Sequence, residues 1–456
     1  MFRLGIDVGG ERVIGVLVNA KLEIVCSADQ PTTPDVMGGI ASVLNMLLTK
    51  SKVNPGAIGN VMVGTTYCHN ALLEEKNLAK VCALRISPAE CPLPPLYEGS
   101  EGLRKAIGLL HFHIPGGHEV DGSVSLNESF LDRLEKLLPA LQAEEIESFA
   151  VTGTFSTVNS THEQLVAKQI RKVFGDDCPI TLSHQLGSVG FLERENAAIL
   201  NAALSKVMMK VLKRMGDLLQ DHGINASIYV TQNDGSLMSY ENALHFPIRT
   251  FRSSSANCFR GASFLTKLND CVVVDVGKSF TSIGMLKQGV PKEGGHNQVM
   301  LGIRVNFQMP ELIALPYGSD HRVSEAMIDA IYCAVQRFQP RYEPLPIVFV
   351  GEGRDQVMPL FKYPWADIYC PDYAETISAI GACIAPLSGS LDRIFCLDHA
   401  SRDEVVQSAA QEVLNYAVYA GADPETVNVQ SIEIIPFAYV SNRSLRIKAK
   451  AFGRLP

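Results

Sequence analysis

Two aspartates, Asp7 and Asp275, stand in nearly the same local sequence in the two halves of the chain. The stretches LGIDVGGERVIGVLV and VVVDVGKSFTSIGML both contain an apolar run, then Asp-Val-Gly, then a second apolar run. Each stretch predicts a strand, a tight turn and a returning strand. A carboxylate in such a turn can bind a divalent cation, and glycine lets backbone N–H groups approach a phosphate. The two turns therefore predict a centre that binds metal and phosphate.

The residues Gly277, Lys278 and Ser279 also look like the end of a P-loop, which is a different phosphate-binding motif. A P-loop needs another glycine five residues before the one that precedes lysine, and Val272 occupies that position inside a predicted strand. A second strand pattern follows Ser279, so no helix N-terminus would present free N–H groups to a phosphate. The spacing excludes the P-loop.

The paired turns are more similar to the phosphate-binding hairpins of the actin/sugar-kinase/Hsp70 group, in which two Asp-x-Gly turns bind ATP from opposite lobes. By this resemblance Asp7 and Asp275 are the predicted catalytic residues and metal ligands, with ATP and Mg²⁺ as the cofactors. The residues expected to contact the nucleotide are Gly9, Gly10, Thr65, Thr66, Gly277, Ser279, Thr281, Gly351 and Gly353.

Strand and helix patterns alternate along the chain, with one helix predicted near residues 128–141 and a long helix over about 193–222. The order of elements repeats from residue 226. The repetition predicts an α/β protein with two similar lobes around a ligand cleft, over residues 1–185 and 186–390. The resemblance of the hairpins implies that these lobes are actin/sugar-kinase/Hsp70-like (ribonuclease H-like). Ser401 and Glu404 form a predicted capping box, and Gly421 is a predicted helix stop before two strand-like runs. A small α+β unit is therefore expected over residues 391–456.

The bulk properties exclude several classes of partner. A chain of 456 residues is too long for a single hydrophobic core and is expected to form more than one domain. The net charge of −8 and the absence of a Lys/Arg run argue against nucleic acid or an anionic membrane as a partner. No stretch approaches the roughly 20 apolar residues of a membrane-spanning helix, and the N-terminus lacks a signal-peptide pattern. Eleven scattered cysteines without a C-x-x-C pair predict reduced thiols in a cytoplasmic protein.

Five segments in the same order resemble the A-type subunits of the hydantoinase/oxoprolinase family, particularly their short forms. The first is GIDVGG, and the next three are VGTTYCHNALLE, FLERENAAILNAAL and TQNDGSLMS. The fifth is the C-terminal GADPETVNV with the later PFAYV. The resemblance covers nearly the whole chain.

This resemblance implies an ATP-dependent amidohydrolase subunit that opens small cyclic amides such as hydantoins, 5-oxoproline or lactams. Phosphorylation of the amide oxygen would turn a poor electrophile into one that water can attack, with the protein supplying position and charge stabilisation. The implied partner is a second, B-type subunit or another copy of the chain. A sugar- or acyl-type kinase is a weaker alternative, because the chain resembles none of their substrate motifs.

The chain departs from the family pattern at the predicted nucleotide site. Residues 11–14, ERVI, replace a Thr-Phe-Thr-Asp pattern, and the Glu11 carboxylate would face phosphate oxygens at a cost on the order of a few kcal/mol. In the second hairpin Lys278 stands where the pattern has glycine, and Ser282 replaces an acidic residue. Glu352 interrupts a glycine turn, and SSSANC (253–258) lacks the expected glycine. These changes keep open a second hypothesis, a catalytically weakened scaffold or regulatory subunit (a pseudoenzyme).

Several histidines are further candidates for function. His111 and His113 form a His-x-His pattern on a predicted strand, with His118 nearby. The three could bind a metal, or they could have a hydrogen-bonded surface or domain-contact role. His69 and His184 lie in family-like motifs and are candidates for substrate contact.

Overall fold

The structure is a computed structural model and describes residues 1–33, 35–124, 130–187, 189–295, 298–317, 323–340, 342–397, 400–436 and 444–456. Within these ranges the strands are β1 (Phe2–Val8), β2 (Arg12–Val18), β3 (Ile24–Pro31), β4 (Ile58–Thr65), β5 (Val81–Ser87), β6 (Leu110–Pro115), β7 (Ser148–Gly153), β8 (Ile180–Leu182), β9 (Ser227–Thr231), β10 (Leu237–Ser239), β11 (Cys271–Val276), β12 (Phe280–Lys287), β13 (Val290–Pro291), β14 (Gln298–Met300), β15 (Ile303–Val305), β16 (Leu312–Pro316), β17 (Ile347–Val350), β18 (Ile368–Tyr369), β19 (Leu387–Cys396), β20 (Asn428–Pro436) and β21 (Ser444–Gly453).

The α-helices in the same ranges are α1 (Val36–Ser51), α2 (Tyr67–Glu74), α3 (Glu101–Ala106), α4 (Phe130–Leu141), α5 (Thr161–Phe174), α6 (Phe191–Asp221), α7 (Tyr240–His245), α8 (Ser253–Thr266), α9 (Glu325–Phe338), α10 (Arg354–Val357), α11 (Ile377–Ile384) and α12 (Arg402–Tyr419). The helix predicted near 128–141 is α4, and the first two residues of that prediction lie outside the described ranges, as does most of the PFAYV segment. Among the described helices, none combines the length and the apolar character that a bilayer crossing requires.

The first sheet has nine strands in the order β20-β21-β19-β10-β9-β4-β1-β2-β3. Strand β1 runs antiparallel to β2 and parallel to β4, so that Asp7 pairs with Ile14 on one side and Gly64 on the other. Helices cover both faces here, because a Cβ added at Gly5 would meet α11 and one added at Gly15 would meet α1. Burial on both faces explains why these strands are continuous apolar runs rather than alternating ones.

The second sheet repeats this arrangement. Strand β11 runs antiparallel to β12 and parallel to β17, so that Asp275 pairs with Ser282 on one side and Val350 on the other. The strand order is β13-β12-β11-β17-β18, with β16 added along β12. Asp7 and Asp275 therefore occupy equivalent places on equivalent strands, as the repeated sequence pattern predicts.

A smaller four-stranded sheet, β6-β5-β7-β8, lies beside the long helix α6. Arg85 of β5 and Glu195 of α6 form an ion pair in which both side chains are buried, with 2.8 Å between Arg85 Nε and Glu195 Oε1. Removing one partner of such a pair leaves an uncompensated buried charge. The pair therefore fixes this sheet on the helix.

The last elements of the chain join the first sheet. The capping box at Ser401 and Glu404 begins α12 as predicted, and Gly421 has the expected positive φ of 100° just after its end. Strands β19 and β21 pair along ten residues each, and β10 pairs with β19 in the same nine-stranded sheet as β1. The proposed division at residues 185 and 390 stays a prediction, and this sheet contains strands from all three proposed segments.

Helices α8 and α11 pack against each other between the two large sheets, with α11 on β1 and β2 and α8 on β11 and β12. Glycines permit their close approach, because a Cβ at Gly381 would overlap the carbonyl group of Asn257, and one at Gly261 would overlap that of Ile377. This helix pair sets the distance between the two Asp-x-Gly hairpins.

Replacing Gly381 by alanine should therefore lower the free energy of unfolding by roughly 1–3 kcal/mol, measured by urea titration, because the added methyl group overpacks the helix contact. Helix propensity alone would act in the opposite direction by up to about 1 kcal/mol. Gly216→Ala is the matched control, since Gly216 also lies inside a helix and its added Cβ would meet no atom within 4 Å. Equal effects of the two substitutions would contradict the packing constraint.

Candidate functional site

The two hairpin aspartates lie close enough to affect each other electrostatically, with Asp7 buried and Asp275 partly exposed. Ser254, in the first turn of α8, donates a hydrogen bond of 2.6 Å to Asp7 Oδ2. Asp7 Oδ1 accepts no hydrogen bond from a described residue. The fold therefore brings the two predicted metal ligands to one centre and leaves a carboxylate oxygen unpartnered there.

Both carboxyl groups resist ionisation. Burial raises the pKa of Asp7, against the polar side chains of Ser254, Ser378 and Asn257. Burial raises the pKa of Asp275 to about 6, where a hydrogen bond from the Cys258 thiol opposes the rise and the negative charges of Asp7 and Glu11 add to it. A bound cation would reverse both effects, because an opposite charge nearby favours the ionised carboxylate.

The donor set around Asp7 suits a Mg²⁺ ion that is shared with a ligand. Besides Asp7 Oδ1, the buried atoms Ser253 Oγ and Asn257 Oδ1 of α8 have no hydrogen-bond partner among the described residues. The described residues contain no group of three or more His, Cys, Asp or Glu side chains that could hold a metal by themselves. Two carboxylates completed by waters and substrate phosphates are a usual environment for Mg²⁺, so the residues present fit this ion.

Glu11 makes a contact that the sequence did not predict. Its carboxylate reaches from the first hairpin to the second, where it accepts hydrogen bonds from the backbone N–H of Lys278, at 3.1 Å, and from the hydroxyl of Ser279. These are groups at the turn expected to hold a phosphate. A protein carboxylate thus binds the donors predicted for the nucleotide.

A second set of charges also connects the two hairpins. Glu352, in the turn between Gly351 and Gly353, lies 3.5 Å from Arg12 of the first hairpin and 3.3 Å from Lys278 of the second, measured between charged atoms. Arg12 also forms an ion pair with Asp29. The three substituted positions Arg12, Lys278 and Glu352 therefore form one ion-pair cluster across the cleft.

The remaining predicted nucleotide-binding residues surround the same centre. Gly351 has φ of 87°, and a Cβ there would lie 2.8 Å from Asp275 Oδ1, so only glycine fits. The hydroxyl of Thr66 donates to the carbonyl of Val8, and that of Thr65 accepts from the N–H of Tyr67. Thr281 is buried and hydrogen-bonds the Tyr317 hydroxyl at 2.9 Å. These hydroxyl groups already have protein partners, which a nucleotide would share or displace.

The histidines with metal-like spacing are not brought together as ligands among the described residues. His111 is exposed, and His113 Nε2 hydrogen-bonds the carbonyl of Ser87 at 2.9 Å. His118 is buried against His162, and neither of its ring nitrogens has a hydrogen-bond partner in the described residues. Among the described residues, His113 is therefore hydrogen-bonded and His118 is packed against another ring without hydrogen bonds.

Sequence reasoning missed several polar residues that the fold places at or near the centre. Ser254 and Asn257 belong to the SSSANC segment, which stood out only for its missing glycine, and Ser378 lies on α11 far along the chain. No local spacing signals these contacts, because they depend on tertiary packing.

The fold and the centre together define a two-lobed α/β protein with the actin/sugar-kinase/Hsp70-like ATPase fold, which confirms the predicted fold class. A family profile described as the hydantoinase/oxoprolinase N-terminal region matches residues 3–174, and one described as hydantoinase/oxoprolinase matches residues 194–356. The chain belongs to the hydantoinase/oxoprolinase family.

Two solved structures share this fold over the whole chain. An ATP-dependent caprolactamase from Pseudomonas jessenii is 15% identical with a TM-score of 0.73, covering 100% of this chain and 88% of that one. A nucleotide-free acetone carboxylase, described as carrying out ATP-dependent acetone carboxylation, is 12% identical with a TM-score of 0.69 and the same coverage of both chains. No curated protein matches the sequence.

The buried His118 generates a pH prediction. Burial lowers the pKa of His118 to about 4, and the neighbouring His162 contributes in the same direction. Below the ordinary histidine pKa of about 6.5, His118 is protonated in the unfolded chain but stays neutral in the folded protein. The free energy of unfolding therefore falls as the pH is lowered from 7 towards 4. The contribution between pH 7 and pH 5 should be roughly 2 kcal/mol in the free energy of unfolding.

His118→Phe should remove this part of the pH dependence when urea unfolding is compared at pH 7 and pH 5. His111→Gln, at an exposed position, is the control and should keep the wild-type dependence. An unchanged dependence in His118→Phe would mean that His118 titrates normally in the folded protein.

Proposed function

We propose that this chain is the ATP-binding component of an amidohydrolase that activates small cyclic amides by phosphorylation. The observation that carries the proposal is the placement of Asp7 and Asp275 at equivalent strand ends, where one oxygen of Asp7 has no hydrogen-bond partner among the described residues. The chain also belongs to the hydantoinase/oxoprolinase family. An uncompensated pair of carboxyl groups in a cleft is costly for stability, and such sites are commonly functional. A metal–phosphate complex compensates both charges.

In this proposal Asp7 and Asp275 bind Mg²⁺ directly or through its waters. Backbone N–H groups and hydroxyls of the two hairpins and of the β4 end hold the phosphates, and the glycine turn at Gly351 and Gly353 faces the nucleoside. Mg²⁺ supplies neutralisation of the phosphate charge, and the protein supplies position. The unusual Lys278 adds a cation beside the phosphates.

Glu11 must leave its place before a phosphate can use Ser279 and the N–H of Lys278. Otherwise the negatively charged carboxylate and the phosphate would compete for the same hydrogen-bond donors. Their repulsion would cost on the order of a few kcal/mol. Nucleotide binding would therefore be coupled to a movement of the first hairpin. Lys278, released from Glu352, could then follow the phosphate charge.

The Glu11 contact also favours a second candidate function. Glu11 of the first hairpin already occupies the hydrogen-bond donors of the second hairpin that would bind phosphate. Such an arrangement suits a scaffold or regulatory subunit that no longer binds ATP. Either function is compatible with a partner, a B-type subunit or another copy of the chain. Nucleotide binding decides between the two functions.

Titration calorimetry with ATP and Mg²⁺ should detect binding to the wild-type chain at or below millimolar nucleotide. Asp7→Asn and Asp275→Asn should each weaken binding about tenfold or more, since each removes a charge that holds the metal. Glu90→Gln, at an exposed position, is the control and should bind as wild type. A folded wild-type chain that does not bind millimolar MgATP would contradict the ATP-dependent function and favour the scaffold.

Glu11→Gln should bind MgATP more tightly than wild type, by about tenfold for each 1.4 kcal/mol of repulsion removed. The same calorimetric titration measures this change, and Glu90→Gln again controls for the loss of one negative charge. Unchanged or weaker binding in Glu11→Gln would show that Glu11 does not compete with phosphate.

A further inference from the structure

Helices α2 and α8 begin near each other at the end of strand β1. At the start of α2 the Thr66 hydroxyl donates a hydrogen bond to the last carbonyl of β1, and at the start of α8 the Ser254 hydroxyl donates one to Asp7. The ring of His69, in the first turn of α2, lies against the ring of Phe251 just before α8, with 4.8 Å between the ring centres. The first turns of the two helices therefore meet beside the end of β1.

Both helix ends have backbone N–H groups without a capping side chain. The residue before each helix, Thr66 in α2 and Arg252 in α8, makes no side-chain hydrogen bond to the first turn. The first backbone hydrogen bond of α8 runs from the N–H of Ala256 to the carbonyl of Arg252, at 3.3 Å, so the N–H groups of residues 253–255 have no acceptor within the helix. Such N–H groups and the helix dipole attract an anion.

A buried hydroxyl at the same end of α8 has no partner. Ser253, the first residue of α8, is fully buried, and its Oγ makes no hydrogen bond to any described residue. A buried polar group without a partner costs free energy that a bound ligand or water recovers. The proton of this hydroxyl is available to an anion even where its lone pairs accept from water on a metal ion at Asp7. The unpaired hydroxyl therefore indicates a ligand independently of the helix geometry.

Arg252 brings a positive charge to this helix end. Burial lowers the pKa of its guanidinium, and no carboxylate of the described residues lies within ion-pair distance of it. The guanidinium carbon lies over the ring of Phe251, 5.6 Å from the ring centre. A partly buried arginine without a carboxylate partner suits an anionic ligand, because the planar guanidinium can donate to two oxygens at once.

His69 adds another possible donor. Burial and the positive charge of Arg252 lower the pKa of His69, and no acidic side chain opposes this effect. The ring nitrogens of His69 have no hydrogen-bond partner among the described residues. A neutral imidazole carries one N–H that can donate to an anion. The two side chains therefore lie near each other without a negative charge that compensates them.

The number of donors favours a phosphate over a carboxylate. The guanidinium, the imidazole, the Ser253 hydroxyl and the N–H groups of residues 253–255 are more donors than the two oxygens of a carboxylate would use. A phosphate offers three or four oxygens and up to two negative charges. Inorganic phosphate and the phosphate group of a larger molecule share this chemistry.

We infer that the first turns of α2 and α8 form a binding site for a phosphate, with Arg252 and Ser253 as its principal donors and His69 completing it. The site lies beside the Asp7–Asp275 centre. Arg252 and His69 have no part in the proposed nucleotide site, so the inference does not rest on the proposed function.

Titration calorimetry with inorganic phosphate measures binding to this site. The wild-type chain should bind phosphate with a Kd at or below about 1 mM, and at least about tenfold more tightly than acetate. Arg252→Gln should weaken phosphate binding about tenfold or more. Arg171→Gln, at an exposed position, is the matched control and should bind as wild type. No saturable binding by wild type, or equal binding by wild type and Arg252→Gln, would overturn the site.

Arg252→Gly separates a binding role from a structural one. Arg252 has φ of 63° and ψ of 20°, a left-handed backbone conformation that glycine adopts readily. This relief offsets the greater entropy that glycine gives the unfolded chain, so the variant should unfold at nearly the same urea concentration as wild type. It should still bind phosphate about tenfold or more weakly. Undiminished phosphate binding by the folded variant would overturn the role of Arg252.

Diethyl pyrocarbonate, which modifies accessible imidazole nitrogens, locates the bound ion by peptide mass spectrometry. Saturating phosphate should protect His69 from modification while the exposed His111 remains equally reactive in the same sample. Protection should disappear in Arg252→Gln. Phosphate binding without protection of His69 would place the ion elsewhere and overturn the proposal.

Glycerol phosphate in the same titration distinguishes the two sources of the ligand. Tighter binding of glycerol phosphate would assign the site to the phosphate group of a larger molecule, and tighter binding of inorganic phosphate would assign it to the free ion. Either result supports the site, provided that it depends on Arg252. A wild-type chain that binds phosphate through Arg252 but does not bind MgATP would contradict the proposed function and still support this site.

Discussion

The close approach of two carboxyl groups is the interaction on which the rest of the site depends. The equivalent placement of Asp7 and Asp275 follows from the repeated hairpin, and their approach follows from the packing of α8 on α11, where Gly381 leaves room for the Asn257 carbonyl. Two negative charges in a partly dehydrated cleft repel each other. The folded protein therefore favours protonation of the pair or a cation between them, and the proposed function requires the second outcome.

The substitutions around this pair compensate charge within the protein itself. Glu11 binds the donors of the second hairpin, and Glu352 pairs with both Arg12 and Lys278. These contacts close the cleft with groups that lie on three different turns. A nucleotide would have to exchange them for contacts with its phosphates, so in the proposed function the affinity for ATP depends on how readily the first hairpin moves. The two proposed functions differ only in the outcome of that exchange.

The sequence predicted the features that depend on local pattern. Both hairpins, the long helix α6 and the capping box at Ser401 follow from residue spacing, because strand alternation, helix periodicity and capping are short-range effects. The pairing of β19 with β10 was not predictable in the same way, since the register of distant strands depends on what covers each face. For the same reason the expected small C-terminal unit turns out to share its sheet with the N-terminal strands.

The same distinction between local pattern and tertiary packing applies to the contacts at the candidate site. Asp7 and Asp275 were predicted from the motif, whereas the contact of Glu11 with Ser279 and the pairing of Glu352 with Arg12 join segments far apart in the sequence. That a charged residue in a phosphate turn opposes phosphate stays a prediction, and the partners of Glu11 were visible only in the folded chain. Polar networks of this kind need tertiary geometry, because each donor is specified by distance and angle.

The most direct test of the account is a crystal structure of the chain with Mg²⁺ and a non-hydrolysable ATP analogue. The account predicts a metal ion in contact with Asp7 and Asp275, directly or through water, with the analogue's phosphates on Ser279 and the N–H of Lys278 and Glu11 displaced from both. A nucleotide bound elsewhere, or one bound while Glu11 keeps its contacts with the second hairpin, would contradict it.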